Sequence, residues 1–127
     1  MTKRILTVDD SRTIRDMLAH YLQQAGFEVV SAVDGSDGVE KFQAEDVDLV
    51  ITDINMPVMD GYELIENIRS GDSGSRVPIL VLSTESSDEK KMRAKIAGAT
   101  GWIVKPFEPD SLIKAVKVLS LQTKWQR

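Results

Sequence analysis

Apolar residues fall along this chain in two alternating rhythms. Short stretches are dense in them: RILTV at 4–8, FEVVSA at 27–32, DLVIT at 48–52, VPILVL at 77–82 and GWIV at 101–104. Between these, apolar residues recur at three- and four-residue steps. Ile14, Met17, Leu18, Tyr21, Leu22 and Ala25 form one set, Val39 and Phe42 a second, and Leu64, Ile65 and Ile68 a third. Met92 and Ile96 follow, then Leu112, Ile113, Val116 and Leu119. The dense stretches suit strands covered on both faces of a parallel sheet, and the stepped sets suit helices with one buried face.

The punctuation between them agrees. Ser11 can cap the first helix and Gly26 can stop it. Asp34-Gly35 and Asp60-Gly61 are turn signals ahead of the second and third helices. Ser86-Ser-Asp-Glu89 has capping-box spacing for a fourth, which Gly98 closes. That helix is thinly apolar, with Met92 and Ile96 expected inward and Lys90, Lys91, Arg93 and Lys95 outward. Pro109 suits the first turn of the last helix. DSGSR at 72–76 is a polar loop, and the tail TKWQR is expected to fray unless Trp125 packs. Five strands alternating with five helices, without a hairpin signal, predict an α/β fold with a doubly wound parallel sheet. Right-handed crossovers leave few topologies, and a flavodoxin-like (βα)5 arrangement with strand order 2-1-3-4-5 is the expectation.

Composition narrows the chemistry. At 127 residues, 42% hydrophobic and 28% charged, the chain is one globular domain with a real core. A net charge of −4 argues against nucleic-acid binding, which draws its affinity from Lys and Arg. With no cysteine, disulfides, thiolate metal sites and cysteine catalysis are excluded. No stretch is apolar enough for a signal peptide or a membrane span, so a cytoplasmic protein is expected.

The strand ends carry the distinctive residues. In this fold, sites form at the carboxyl ends of the strands. Asp9 and Asp10 stand there after the first strand, Asp53 after the third, Ser83 after the fourth and Lys105 after the fifth. Each alone has an ordinary explanation as a helix start, a loop aspartate, a cap or a solvated lysine. Four separate strands ending this way by chance is a far weaker explanation. Three carboxylates in one pocket repel each other and need a cation. Oxygen ligands without His or Cys suit a hard divalent ion, and Mg²⁺ suits a site with few carboxylates. A divalent cation, a lysine and a hydroxyl around an aspartate are the groups that stabilise a transferring phosphoryl group. Asp53, on the central strand, is the natural nucleophile, giving an aspartyl phosphate.

These same residues carry a resemblance over essentially the whole length. With Met56-Pro57 and Asp60-Gly61 after Asp53, and Pro106-Phe107 after Lys105, the chain resembles the receiver domain of two-component response regulators. The resemblance implies that Asp53 accepts a phosphoryl group from a kinase phosphohistidine. It implies that Asp10, Asp53 and the backbone carbonyl of Asn55 bind Mg²⁺, with Asp9 acting mainly through water. Ser83 and Lys105 would contact the phosphoryl oxygens, and the bond before Pro106 is usually cis in the family. Ser83 and Trp102 match the switch positions, although the family more often has tyrosine or phenylalanine at the latter. Asn55, Thr84 and Glu85 sit where the family tunes the phosphorylated state. His20, opposite the first helix's apolar face, reads as a surface residue, so the phosphoryl group comes from another molecule.

Among stand-alone receivers, the chain looks like chemotaxis regulators of the CheY type, and especially those of alphaproteobacteria. Asn55, Glu85 and the run GATGWIVKPF at 98–107 carry that likeness. It implies a signalling protein rather than an enzyme, promoting its own phosphorylation and dephosphorylation and working as a monomer without an output domain. Its donor would be a CheA-type histidine kinase and its target a FliM-type flagellar motor switch protein, with a phosphatase as a further partner. The partner face would be the fourth helix, fifth strand and fifth helix, with Lys90, Lys91, Lys95, Trp102 and Lys105 on it. A phosphorelay shuttle or phosphate sink is the alternative within the family. A Mg²⁺-dependent aspartyl-phosphate phosphatase of the haloacid dehalogenase type is more remote, since that family's nucleophile lies in an Asp-x-Asp motif after the first strand. A flavodoxin-like electron carrier would need a phosphate loop where Asp9-Asp10 stands.

Overall fold

The structure, a computed structural model, describes residues 2–71 and 76–125, the side chains of 122–125 excepted. Five strands, β1 (Arg4–Val8), β2 (Glu28–Ala32), β3 (Leu49–Thr52), β4 (Ile79–Ser83) and β5 (Gly101–Val104), alternate with five helices. The helices are α1 (Arg12–Gln24), α2 (Gly35–Ala44), α3 (Gly61–Ser70), α4 (Asp88–Ala97) and α5 (Pro109–Trp125). All neighbouring strands are parallel and the order is β2-β1-β3-β4-β5, as the alternation predicts. β3 is buried at every residue, which is why its sequence is apolar without alternation.

Successive residues of each strand point to opposite faces, and so build two cores. Leu6, Val8, Val50 and Val81 pack with Leu64, Ile65 and Ile68 of α3, and with α2 and α4. Ile5, Leu49, Ile51, Leu80 and Leu82 pack on the other face with Leu18 and Leu22 of α1 and Leu112 and Val116 of α5. Side-chain caps start the first four helices: Ser11, Asp34, Asp60 and Ser87 accept from the backbone N–H groups of Ile14, Asp37, Glu63 and Lys90.

α4 departs from expectation. Met92 and Ile96 face outward, at 55% and 80% exposure, and Ala94 is the buried residue. Small residues let this helix lie close to its neighbours, so the two large ones fall on the far side. Polar ties do the rest. The Tyr62 hydroxyl donates to the Lys90 carbonyl at 3.5 Å, and the Arg93 guanidinium stacks 3.9 Å from the Tyr62 ring centroid. The cap is Ser87 rather than Ser86, one residue later than the capping-box spacing suggests. Met17 is also exposed, at the margin of the α1 stripe. β4 begins after Pro78, which has no N–H to give the ladder, and extends to Ser83. α5 continues to Trp125, past the start of the tail expected to fray. The packing of the Trp125 side chain and the loop at 72–75 lie outside the described residues.

Candidate functional site

The parallel register brings the ends of β1, β3, β4 and β5 to one edge. Asp9 follows β1. Its N–H donates to the Ala32 carbonyl at 3.2 Å, and its Oδ1 accepts from the Ser11 N–H at 2.9 Å. Asp53 follows β3, its N–H donating to the Val8 carbonyl at 3.0 Å and its Oδ1 accepting from the Ile54 N–H at 2.7 Å. The Lys105 ammonium spans the two, donating to Asp9 Oδ2 at 2.8 Å and Asp53 Oδ2 at 2.9 Å. The Lys105–Pro106 peptide is cis. Ser83, fully buried, accepts from the Glu85 N–H at 3.3 Å, and its carbonyl accepts from the Lys105 N–H at 2.8 Å. Thus every strand-end residue singled out in the sequence stands at this one edge.

Burial pushes the Asp9 carboxyl above its ordinary value, against the opposing pull of Lys105 and the Ser11 N–H. Burial would lower Lys105, but its bonds to Asp9 and Asp53 outweigh that and hold the ammonium above its ordinary value. The site therefore holds a firmly charged lysine beside more carboxylate than it can neutralise. Asp10 is exposed, and one carboxylate oxygen from each of Asp9, Asp10 and Asp53 lies within 4.8 Å of the others. That is an all-oxygen, anionic donor set, and it fits a hard cation such as Mg²⁺.

The loop behind Asp53 is fixed by close packing. The Gly61 N–H donates to the Ile54 carbonyl at 2.8 Å, and a Cβ on Gly61 would collide with the Asp53 carbonyl oxygen. Only glycine fits there, and the turn signal Asp60-Gly61 is its trace in the sequence. Val58, on the same loop, takes a φ of 70° and is 82% exposed.

Glu85, two residues after the end of β4, is tied to the loop after β3 and to α4. Asn55 Nδ2 donates to its Oε1 at 3.1 Å, and Lys90 Nζ to its Oε2 at 2.8 Å. The Lys90 bond, then the Asn55 bond, hold the Glu85 carboxyl below its ordinary value. The Trp102 indole N–H donates to the Glu85 carbonyl at 3.0 Å, so the partly buried tryptophan has a partner for its polar group. Thr84 is exposed beside Ser83.

The residues expected on a partner face divide. Lys91, Lys95 and Trp102 line a shallow cleft of about 260 Å³ between α4 and β5. Lys90 turns toward the site to pair with Glu85, and Lys105 is withdrawn among the carboxylates. His20 is exposed, its ring edge-on to Tyr21. Sequence reasoning missed Arg15, whose Nη1 donates to the Asp9 carbonyl at 2.8 Å. An arginine on the first turns of a helix carries no signal of that reach.

A family model described as the response regulator receiver domain matches residues 5–117. Chemotaxis protein CheY4 of Vibrio cholerae is 45% identical, with a TM-score of 0.90, over 94% of this chain and 99% of that one. The receiver domain of a sensor histidine kinase from Pseudomonas aeruginosa, solved with a magnesium ion coordinated in the active site cleft, is 26% identical. Its TM-score is 0.87, over 94% of this chain and 98% of that one. The transcriptional regulatory protein PrrA of Mycobacterium bovis is 38% identical over 116 residues, 91% of this chain and 49% of PrrA. The chain thus spans about half the length of that relative.

Proposed function

Since the chain belongs to the response regulator receiver domain family, whose members are phosphorylation-activated switches fed by histidine kinases, we propose that Asp53 is its phosphoacceptor. The observation that carries this reading is the Lys105 ammonium held between Asp9 and Asp53, at the edge where the buried Ser83 ends β4. An Asp53 carboxylate oxygen forms the new O–P bond as the P–N bond of the phosphohistidine breaks, and the electron pair returns to the imidazole. Lys105 offsets charge on the phosphoryl oxygens and Ser83 supplies a hydroxyl donor. Asp10 and Asp53 would hold Mg²⁺ with the Asn55 carbonyl, Asp9 acting mainly through water, and the ion, when bound, would supply further positive charge to the site. Trp102 and Ser83 form the switch in this reading. Movement of the hydroxyl toward the phosphoryl group draws on the segment whose Glu85 carbonyl holds the indole.

The output we propose is chemotactic, through α4, β5 and α5, to a FliM-type flagellar motor switch protein, after phosphorylation by a CheA-type kinase. The likeness to the chemotaxis protein CheY4, over 94% of this chain and 99% of that one, supports the chemotactic reading. Among the described residues no helix is long and apolar enough to cross a membrane. The test is binding of an amino-terminal peptide of a motor switch protein to the protein with and without beryllofluoride and Mg²⁺. About tenfold tighter binding in the trapped state, an ordinary coupling between two sites, is expected. Equal binding in both states, with phosphoryl transfer onward to a histidine phosphotransfer protein, would mark a relay or sink instead.

A further inference from the structure

Of the three carboxylates that would hold the cation, Asp10 is the least supported. Asp9 and Asp53 each have backbone donors and Lys105 on their oxygens. Asp10 is exposed, and among the described residues no hydrogen bond or ion pair holds its side chain. Its position is therefore set by the main chain it hangs from, above all by the peptide that joins it to Asp9.

That peptide is held at its carbonyl, and the peptide before it at the Asp9 N–H. The Asp9 N–H is bonded to the Ala32 carbonyl, and the Asp9 carbonyl accepts from Arg15 Nη1 at 2.8 Å. The first backbone acceptor of α1 is the Ser11 carbonyl, so the Asp9 carbonyl lies outside the helical ladder. The half-buried guanidinium supplies a charge-assisted bond in its place. On the strength of this geometry we infer that Arg15 is a positioning residue: it fixes the Asp9–Asp10 peptide and so aims Asp10 at the divalent cation. The inference rests on the proposed reading of the acidic cluster as a Mg²⁺ site.

Charge alone predicts the opposite effect. A cation close to the site repels a divalent ion, so deleting Arg15 would tighten Mg²⁺ if Coulomb repulsion were its main influence. If positioning dominates, deletion weakens Mg²⁺, because the freed peptide lets Asp10 wander. Partners that orient metal ligands typically alter affinity by about 10–100-fold, and with an exposed ligand we expect about tenfold. Arg12 is the control for charge. It lies on the same helix, is exposed, and pairs with Asp16 rather than with the Asp9 loop.

The experiment is a Mg²⁺ titration of the full chain followed by amide chemical shifts, on wild type, Arg15→Ala, Arg15→Lys and Arg12→Ala. Wild type must first show shifts centred on residues 9, 10 and 53, and their absence would overturn the reading of the cation site itself. Given that, Arg15→Ala is expected to bind about tenfold more weakly. Arg15→Lys should recover part of the loss through its own donor, and Arg12→Ala should stay at or slightly above wild-type affinity. With acetyl phosphate, the Arg15→Ala phosphorylation rate should return to the wild-type level at saturating Mg²⁺ while its half-saturating Mg²⁺ rises. Mg²⁺ affinity in Arg15→Ala equal to wild type, or tighter, overturns the inference. If that variant does not fold, Arg15→Met, which keeps the apolar stem, is titrated in its place and read by the same criteria.

Discussion

Gly61→Ala is the sharpest perturbation this fold offers, because one added methyl group meets main chain rather than side chain. The Cβ would overlap the Asp53 carbonyl oxygen, and would lie 2.8 Å from the Ile54 Cα and 3.0 Å from its Cδ1. No rotamer change relieves the first two contacts, so either α3 or the β3 end must move. Overpacking a tight site costs about 1–3 kcal/mol, and a main-chain collision belongs at the upper end. Alanine returns up to about 1 kcal/mol over glycine in a helix, leaving a net loss of about 2 kcal/mol. For a domain of this size that lowers the midpoint of thermal unfolding by about 6–12 °C. Urea unfolding measures the free energy directly. Gly71→Ala is the comparison, since its nearest neighbour is the Ile68 carbonyl at 3.8 Å. The displaced segment carries Asp53, so acetyl-phosphate labelling should fall at temperatures where Gly61→Ala is still folded. A Gly61→Ala variant within about 0.5 kcal/mol of wild type would show that the approach of α3 to the Asp53 carbonyl is not a constraint at all.

Other substitutions probe the remaining parts. Asp10→Asn removes one of three mutually repelling carboxylates and should stabilise the Mg²⁺-free protein while abolishing stabilisation by the ion. In wild type that stabilisation is about 1.4 kcal/mol at Mg²⁺ tenfold above its dissociation constant, and an equal gain in both proteins would place the ion elsewhere. Trp102→Phe deletes the indole bond to Glu85 and should cost about 1 kcal/mol in urea unfolding; an unchanged midpoint would mean the bond contributes nothing net. Thr84→Ala opens the exposed position beside Ser83 to water and should hasten loss of the phosphoryl group. Identical decay of the two proteins in a phosphate-release assay would sink that idea.

The sheet and its strand-end residues were legible because each rests on a local rule. Short apolar runs bounded by turn signals suit strands of a covered parallel sheet, and the crossover rule then fixes which ends share an edge. That carried Asp9, Asp10, Asp53, Ser83 and Lys105 to one place from positions as far apart as 96 residues in the Lys105–Asp9 bond. α4 resisted for a physical reason. Its inner face is made by Ala94 and by polar ties to Tyr62, so the rule that large apolar residues face inward pointed to Met92 and Ile96, which are exposed. The cation over the Tyr62 ring and the Glu85 bridge to Asn55 and Lys90 depend on how two elements meet in space. No spacing in the chain encodes them. Arg15 is the same case at the site itself: its sequence neighbourhood is an ordinary amphipathic helix, and only the fold shows its guanidinium reaching back to Asp9.

Intact mass spectrometry after incubation with Mg²⁺ and acetyl phosphate, with Asp53→Asn alongside, tests the phosphoacceptor most directly. The expected result is a single phosphoryl adduct on the wild-type chain, absent without Mg²⁺ and absent from the variant. An adduct of the same mass and yield on Asp53→Asn, or one formed equally well without the metal, would contradict both the assignment of Asp53 and the reading of the carboxylate cluster around Lys105.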